Sequence, residues 1–559
     1  MLFGLFKTPH EKNIEFKRAE RASRIAALPE IYKQPVTHEE QILLDKPARE
    51  VVDLIQKGEL EPIDVLHAYG KRAIESQEKI NPLTEIMISD AEEWAKNCNR
   101  KGPLAGFPVS IKDSLNVIGY DSSIGFSKYV KQPAQTESAA VKMLRDAGAV
   151  LYVKTNIPLT LHTIECYNDI FGVTENPHKG GYTPGGSSGG EGALIGWGGS
   201  RLGVGTDVAG SIRVPAHFCG IYGLRPSTER FPSSGQRPPA PGQDGIMSST
   251  GPMCRTMDDL TFFMKTMVDM KPWEYDFSCI PLPWREVELP KKIKFGVMWS
   301  DGIVDPSPAC HRALQMTVDA VKKQGHEVVD FVIPDALYGH ALGGKVICSD
   351  GLEQTSSGRY FGERNDKGVD RAKWFGRLPR FVKRIYAWFV ENVWGDKVWA
   401  TVIRRFDQHS ILEHRENTYK KFQWRQKVFD AWKESGIDFL LTVPHSTPAF
   451  PHYTFYDSFT GLDYTFLFNI LDYTAGVLPV THVDRMKDQL PPDFKLSKLN
   501  GVARGTFKCY DAEKMHGLPV GVQIVGRRSE EEKVLKGMEL LEEALHANGV
   551  VYQQLNASV

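Results

Sequence analysis

Cysteine is sparse in this chain: eight thiols in 559 residues, none in a CxxC pair. Spread so thinly (Cys98, Cys166, Cys219, Cys254, Cys279, Cys310, Cys348 and Cys509), they exclude a disulfide frame and read as buried thiols of a reducing compartment. Neither HExxH nor a Cys/His cluster with zinc spacing occurs, so no metal and no other cofactor is expected. An excess of one charge is missing too. The 68 basic and 69 acidic residues give a net charge of −1, and without a long basic run a nucleic-acid partner is not expected. Long apolar runs are absent as well. The opening MLFGLFKTPH is too short for a signal-peptide core, and no later stretch reaches the roughly 18 apolar residues of a spanning helix. The expected location is cytoplasmic. Asn556-Ala557-Ser558 fits the glycosylation pattern, but no secretion signal accompanies it.

What is present is the composition of a globular protein, 41% hydrophobic and 25% charged, long enough to bury a large core. Residues 1–46 are polar and predict an extended or helical N-terminal arm. From Pro47 onward apolar residues recur at helical spacing and predict two packed helices. Strand-like runs then end at Lys112 and Lys154, with the helical stretch ESAAVKMLRDAG between them, an alternation that predicts an α/β sheet with crossover helices. The second half repeats the theme in KIKFGVMW, IDFLLTV and LPVGVQIVG. A closing helix begins at Ser529 with Glu532 three residues on, the pattern of a capping box. No linker divides these segments, so one domain over 47–559 is expected, with a helical insertion at about 370–425.

Glycine concentrates in one place: 15 of the 50 glycines lie between Gly180 and Gly223. Such density signals tight turns and close backbone approach. Neither GKS nor GKT follows, and no GxGxxG opens a βαβ unit, so a phosphate loop is not indicated. Gly186-Ser187-Ser188-Gly189-Gly190 satisfies GxSxG, the nucleophile elbow of α/β-hydrolases, with Ser188 as nucleophile. That elbow needs a strand directly before it, and GGYTPGG is not one. His217 is the histidine nearest Ser211 for a Ser–His–Asp arrangement. Lys112 and Lys154 both end strands, and position alone does not choose between them.

The blocks Gly185-Gly186-Ser187-Ser188-Gly189-Gly190 and Gly205-Thr206-Asp207-Val208-Ala209-Gly210-Ser211-Ile212-Arg213, preceded by Pro108-Val-Ser-Ile-Lys112-Asp113, resemble the amidase signature family. The resemblance runs from about Pro47 to the C-terminal helix. It implies an α/β fold with a single large mixed β-sheet flanked by helices on both faces. It also implies an amidohydrolase that works through an acyl-enzyme. Ser211 is then the nucleophile, Ser187 the relay and Lys112 the base, and the N–H groups of Val208, Ala209, Gly210 and Ser211 form the oxyanion hole. A lysine base must be neutral, which burial can achieve at the end of an apolar strand. Asp207 and Arg213 are expected to pair and hold the loop, with Ser188 and Thr206 supporting it. Ala209 stands where the family often has glycine, and a positive φ there would be strained.

Within the family the chain looks closest to fatty-acid amide hydrolases and fungal acetamidases. Linear amides, from small primary amides to fatty-acid amides, and carbamates are then the small-molecule partners, with Leu161, His162 and Ile164 lining the acyl pocket. On a helical wheel residues 374–399 place Leu378, Phe381, Val382, Ile385, Trp388 and Phe389 on one face, opposite Arg377, Arg380, Lys383 and Arg384. That pattern suits peripheral contact with a membrane surface, or packing on the core. A homodimer, the ammonia-releasing subunit of a transamidation complex and an α/β-hydrolase-type esterase using Ser188 are the other readings.

Overall fold

The structure is a computed structural model that describes residues 7–458 and 463–556. The first six residues and Ala557-Ser558 of the glycosylation pattern lie outside the described residues. Eleven strands form one sheet: β1 (Leu83–Ile86), β2 (Pro108–Lys112), β3 (Val150–Thr155), β6 (Leu202–Asp207), β7 (Tyr222–Arg225), β8 (Ser249–Cys254), β9 (Lys294–Val297), β10 (Glu327–Asp330), β11 (Phe439–Thr442), β12 (Ala475–His482) and β13 (Pro519–Val525), while β4 (Tyr167–Asn168) and β5 (Gly172–Val173) make a separate pair. The spatial order is β1-β3-β2-β6-β8-β7-β12-β13-β11-β9-β10. β3, β2 and β6 run parallel, as do β11, β9 and β10, with antiparallel pairings between the two groups. The sheet is therefore mixed. Strands such as β2 and β13 are buried along their whole length, as sheets covered on both faces require.

Two features of this sheet build a site. β2 and β6 are parallel neighbours with Ile111 opposite Val204, so Lys112 and Thr206 emerge side by side at their carboxyl ends, the usual place for ligands in α/β sheets. The glycine-rich loop then leads into the helix Gly189–Trp197, which packs against that edge. Gly190 permits this approach, because a Cβ there would lie 2.3 Å from the Asn156 backbone nitrogen.

The N-terminal segment folds as a helix, Pro9–Ala26, started by a capping box between Thr8 and Glu11. Its Lys17 is buried between Glu20, Glu85 and Asp121, at 2.7 Å from Glu20 and 2.9 Å from Asp121. These three carboxylates are the one cluster with metal-like spacing among the described residues, and the lysine ammonium fills it.

Two sequence expectations are corrected. The closing helix spans Glu531–Ala547 with Glu530 at its N-cap and no side-chain cap. Ser529, at φ 61°, donates its N–H to Ser227 instead, so tertiary contact replaces the capping box. Residues 374–399 are not one helix. Pro379 and Gly395 divide them into Lys367–Arg377, Arg380–Asn392 and Lys397–Ile403, since proline disfavours helix in the residue before it and Gly395 adopts φ 71°. The face also points the other way from a core-packed helix. Phe381 and Ile385 are 66% and 65% exposed, and Trp374, Trp388 and Trp394 are exposed beside them. Lys383, on the basic side, is buried at 2.7 Å from Asp407.

Candidate active site

Lys112 ends β2 fully buried, with Nζ 2.7 Å from Ser187 Oγ and 2.8 Å from Thr206 Oγ1. Burial pulls its amine down to about 7, against the opposing fields of Asp207, Cys166 and Glu191. Glu191 is itself pushed up to about 8 by burial, although Ser110 and Thr155 donate to it. A carboxyl kept neutral there does not hold the lysine protonated. Glu191 was not singled out from the sequence; its one signal was an acid within an otherwise small and apolar run.

Ser187 and Ser211 line one cavity together with Thr206, Val208 and Ala209. Their hydroxyls make no hydrogen bond to each other among the described residues; the loops are joined instead by the Ser188 N–H donating to the Ser211 carbonyl at 3.2 Å. Catalytic hydrogen bonds often tighten only once substrate is bound. The Gly186–Ser187 peptide is cis.

The loop after β6 is held by charge. Arg213 donates to Asp207 through Nε at 3.0 Å and Nη2 at 2.9 Å, and through Nη1 to the Thr465 carbonyl and Gln523 Oε1. Burial would raise the Asp207 carboxyl, but the guanidinium and Asn469 outweigh it and hold it well below the usual range. Asp207 also accepts from the backbone N–H groups of Gly210, at 2.8 Å, and Ile212. Of the four N–H groups expected to form an oxyanion hole, that of Gly210 is turned to Asp207, while those of Val208, Ala209 and Ser211 have no acceptor among the described residues. The positive φ of this loop falls on Gly210, at 125°, and not on Ala209. Alanine at 209 is therefore unstrained.

The rival nucleophile and bases lie elsewhere. Ser188 turns its hydroxyl to the Thr206 carbonyl and accepts from the Thr206 N–H, outside the cavity. Lys154, also buried, donates to the Asp121 carbonyl at 2.7 Å and to Ser122 at 2.8 Å, and reaches neither serine. His217 accepts from the Gly521 N–H and lies 3.2 Å from the Thr447 carbonyl; burial lowers it to about 3.

Leu161, His162 and Ile164 lie in the wall of the same cavity, which encloses about 1400 Å³ including its mouth. Thr160 and Leu161 hold left-handed φ values of 67° and 58°, an uncommon backbone for such residues that clusters at ligand sites. The rest of the wall was not read from the sequence. It comes from the β7–β8 connection at Pro238, Pro239 and Ile246, from Ile347 and Cys348, from Val369 and Ala372, and from Phe406, Phe455 and Phe466. The PPAPG run was the only hint of it.

An amine drawn down to about 7 by burial, two hydroxyls lining one apolar cavity and a loop of N–H groups without acceptors among the described residues, at the strand ends of a mixed sheet, fit an amide hydrolase. The amidase family model matches residues 64–535, and the chain belongs to that family, the amidase signature enzymes. It is 34% identical over 510 residues to the acetamidase of Emericella nidulans, covering 88% of each chain. It is 32% identical over 510 residues to fatty-acid amide hydrolase 1 of Sus scrofa, covering 90% of this chain and 86% of the relative. A solved fatty acid amide hydrolase superposes with a TM-score of 0.82 at 27% identity, covering 96% of this chain and 95% of that one. The chain is an amidase.

Proposed function

We propose that the chain cleaves the C–N bond of linear amides, from small primary amides to long-chain acyl amides and carbamates, with Ser211 as nucleophile. The neutral Lys112 amine takes a proton from Ser187 as Ser187 takes one from Ser211, whose oxygen attacks the carbonyl carbon. The tetrahedral oxyanion meets the N–H groups of Val208, Ala209 and Ser211, worth roughly 10²–10³ in rate for each donor. Collapse expels the amine, which receives the proton back through Ser187 and leaves an acyl-Ser211 ester. Water, deprotonated by the same relay, hydrolyses that ester and restores the lysine. The observation that carries this reading is the buried Lys112 amine within hydrogen-bond reach of Ser187, in the cavity that Ser211 also lines.

The apolar lining supports acyl chains as the favoured group, and the exposed Phe381, Ile385 and Trp388 support peripheral contact with a lipid surface. Labelling with a fluorophosphonate followed by peptide mapping tests the mechanism: the adduct is expected on Ser211, and an adduct on Ser188 would overturn the assignment. The purified chain alone is expected to hydrolyse a panel running from acetamide and ethyl carbamate to oleamide. Turnover of glutamine alone would support the transamidation reading instead.

A further inference from the structure

The wall of the substrate cavity is not apolar throughout. It includes Arg237, from the β7–β8 connection, and Ser114, which closely follows Lys112 in the chain. The segment that carries Arg237 runs beside the end of β2. Gln236 pairs there with Leu115, and the Arg237 N–H donates to the Ser114 carbonyl at 2.9 Å. Gln236 is tied further in, donating through Nε2 to the Thr250 hydroxyl at 2.6 Å. Thr250 stands opposite Thr206 across β8 and β6, and Thr206 is the second partner of the Lys112 amine. Arg237 therefore meets the cavity on the Lys112 side.

Its side chain is set in place within the fold itself. The guanidinium lies 4.6 Å from the centre of the Tyr129 ring and donates through Nη1 to the Ser122 carbonyl at 3.1 Å. Ser122 is held in turn by Lys154, which donates to its hydroxyl at 2.8 Å. The lysine that competes with Lys112 in sequence thus serves as an anchor. A guanidinium carries five donors in a rigid planar fork, and the Ser122 carbonyl occupies only one end of it. In the same wall the buried Ser114 hydroxyl makes no hydrogen bond among the described residues, and an unmet buried polar group calls for a partner. The other arginine of the wall, Arg405, adjoins Phe406 and donates to His340 at 3.1 Å.

We propose that Arg237 selects amides whose amine half carries a carboxylate, the N-acyl amino acids, by pairing with that carboxylate while the acyl chain lies along the apolar wall. The direction follows from the proton transfer. The departing amine takes its proton through Ser187 from Lys112, so the amine half lies on the Lys112 side, where Arg237 stands. One planar guanidinium matches one planar carboxylate through two parallel charge-assisted hydrogen bonds. Water adds across the C–N bond and releases the acyl group as a carboxylic acid and the amine half as the free amino acid. The inference rests on the proposed amide chemistry and names a substrate class for it.

The test compares N-hexanoylglycine with neutral N-hexanoylethanolamine on the full chain and reads the ratio of their kcat/KM values. The wild-type ratio is expected to favour the glycine conjugate. Arg237→Gln is expected to lower that ratio about 10–100-fold, the effect of losing hydrogen bonds to a charged group. Arg237→Glu is expected to turn the preference toward N-hexanoylethylenediamine, whose amine half is cationic, a reversal that a merely structural arginine does not produce. Adipamic acid carries its carboxylate at the far end of the acyl half, and Arg237 is expected to give it no advantage over hexanamide. An unfolding transition like that of the wild type verifies that each variant is folded. Should a variant fail to fold, the wild type decides alone: added salt is expected to raise KM for N-hexanoylglycine several-fold more than for N-hexanoylethanolamine. In an active enzyme, a ratio that favours the neutral amide, a ratio that Arg237→Gln leaves intact, equal salt responses or an advantage for adipamic acid overturns the inference. A chain with no amide turnover at all refutes the proposed function instead.

Discussion

At the scale of single residues, the proposed mechanism turns on one amine. Because Lys112 must be neutral to accept a proton and burial sets it at about 7, kcat/KM is expected to be low in acid and to rise through about pH 7 toward a plateau. A pH–rate profile checks this, and activity that falls across that range would contradict a lysine base. Lys112→Ala is expected to lose about 10²–10⁴ in kcat, the range of general base catalysis, with the folded state retained. Gly210→Ala meets two obstacles, a φ of 125° and a Thr465 hydroxyl 2.3 Å from the added Cβ, so turnover is expected to fall by about 10²-fold, the effect of a displaced oxyanion loop. Lys112, Ser187 and Ser211 stand in the motif blocks that carry the family resemblance, and the Asp207–Arg213 pair was legible because the two flank Ser211. The Gly210 N–H was not, because which way a backbone donor points depends on the carboxylate folded under it. Glu191 leaves no mark in the sequence for a similar reason: its carboxyl is raised by burial, which only the fold creates.

Among elements, strands were more legible than helices. β2, β3, β9, β11 and β13 are short apolar runs, and burial on both faces leaves a clear mark in sequence. The 374–399 segment was harder, since an amphipathic wheel records two faces but not which of them meets the protein. The observed orientation leaves Phe381, Ile385 and Trp388 in the open. Replacing Phe381 and Trp388 by serine is therefore expected to move stability by no more than about 0.5 kcal/mol per site. The same changes are expected to lower co-sedimentation with lipid vesicles several-fold. Denaturant unfolding and vesicle binding measured on one preparation separate the two effects. Unaltered vesicle binding would mean that these rings serve another purpose.

For the whole molecule, the cavity wall is the part that sequence reading missed most. It is assembled from segments as distant as Leu161, Ile246, Ala372 and Phe466, each of which is ordinary on its own. Long-range ties of the same kind hold the N-terminal helix to the body. Lys17→Met leaves Asp121 buried without its cation and Glu85 with only Arg24 at 3.4 Å, and a loss of about 3–5 kcal/mol is expected in unfolding experiments. A loss near zero would mark residues 7–46 as a detachable arm. The buried contact of Lys383 with Asp407 has a related consequence for the helix above it. Rolling that helix about its axis, the simplest way to hide its rings from water, would drag an ammonium out of its partner's reach and strand an aspartate beneath. The greasy side is thereby locked facing outward, whether or not anything is there to meet it.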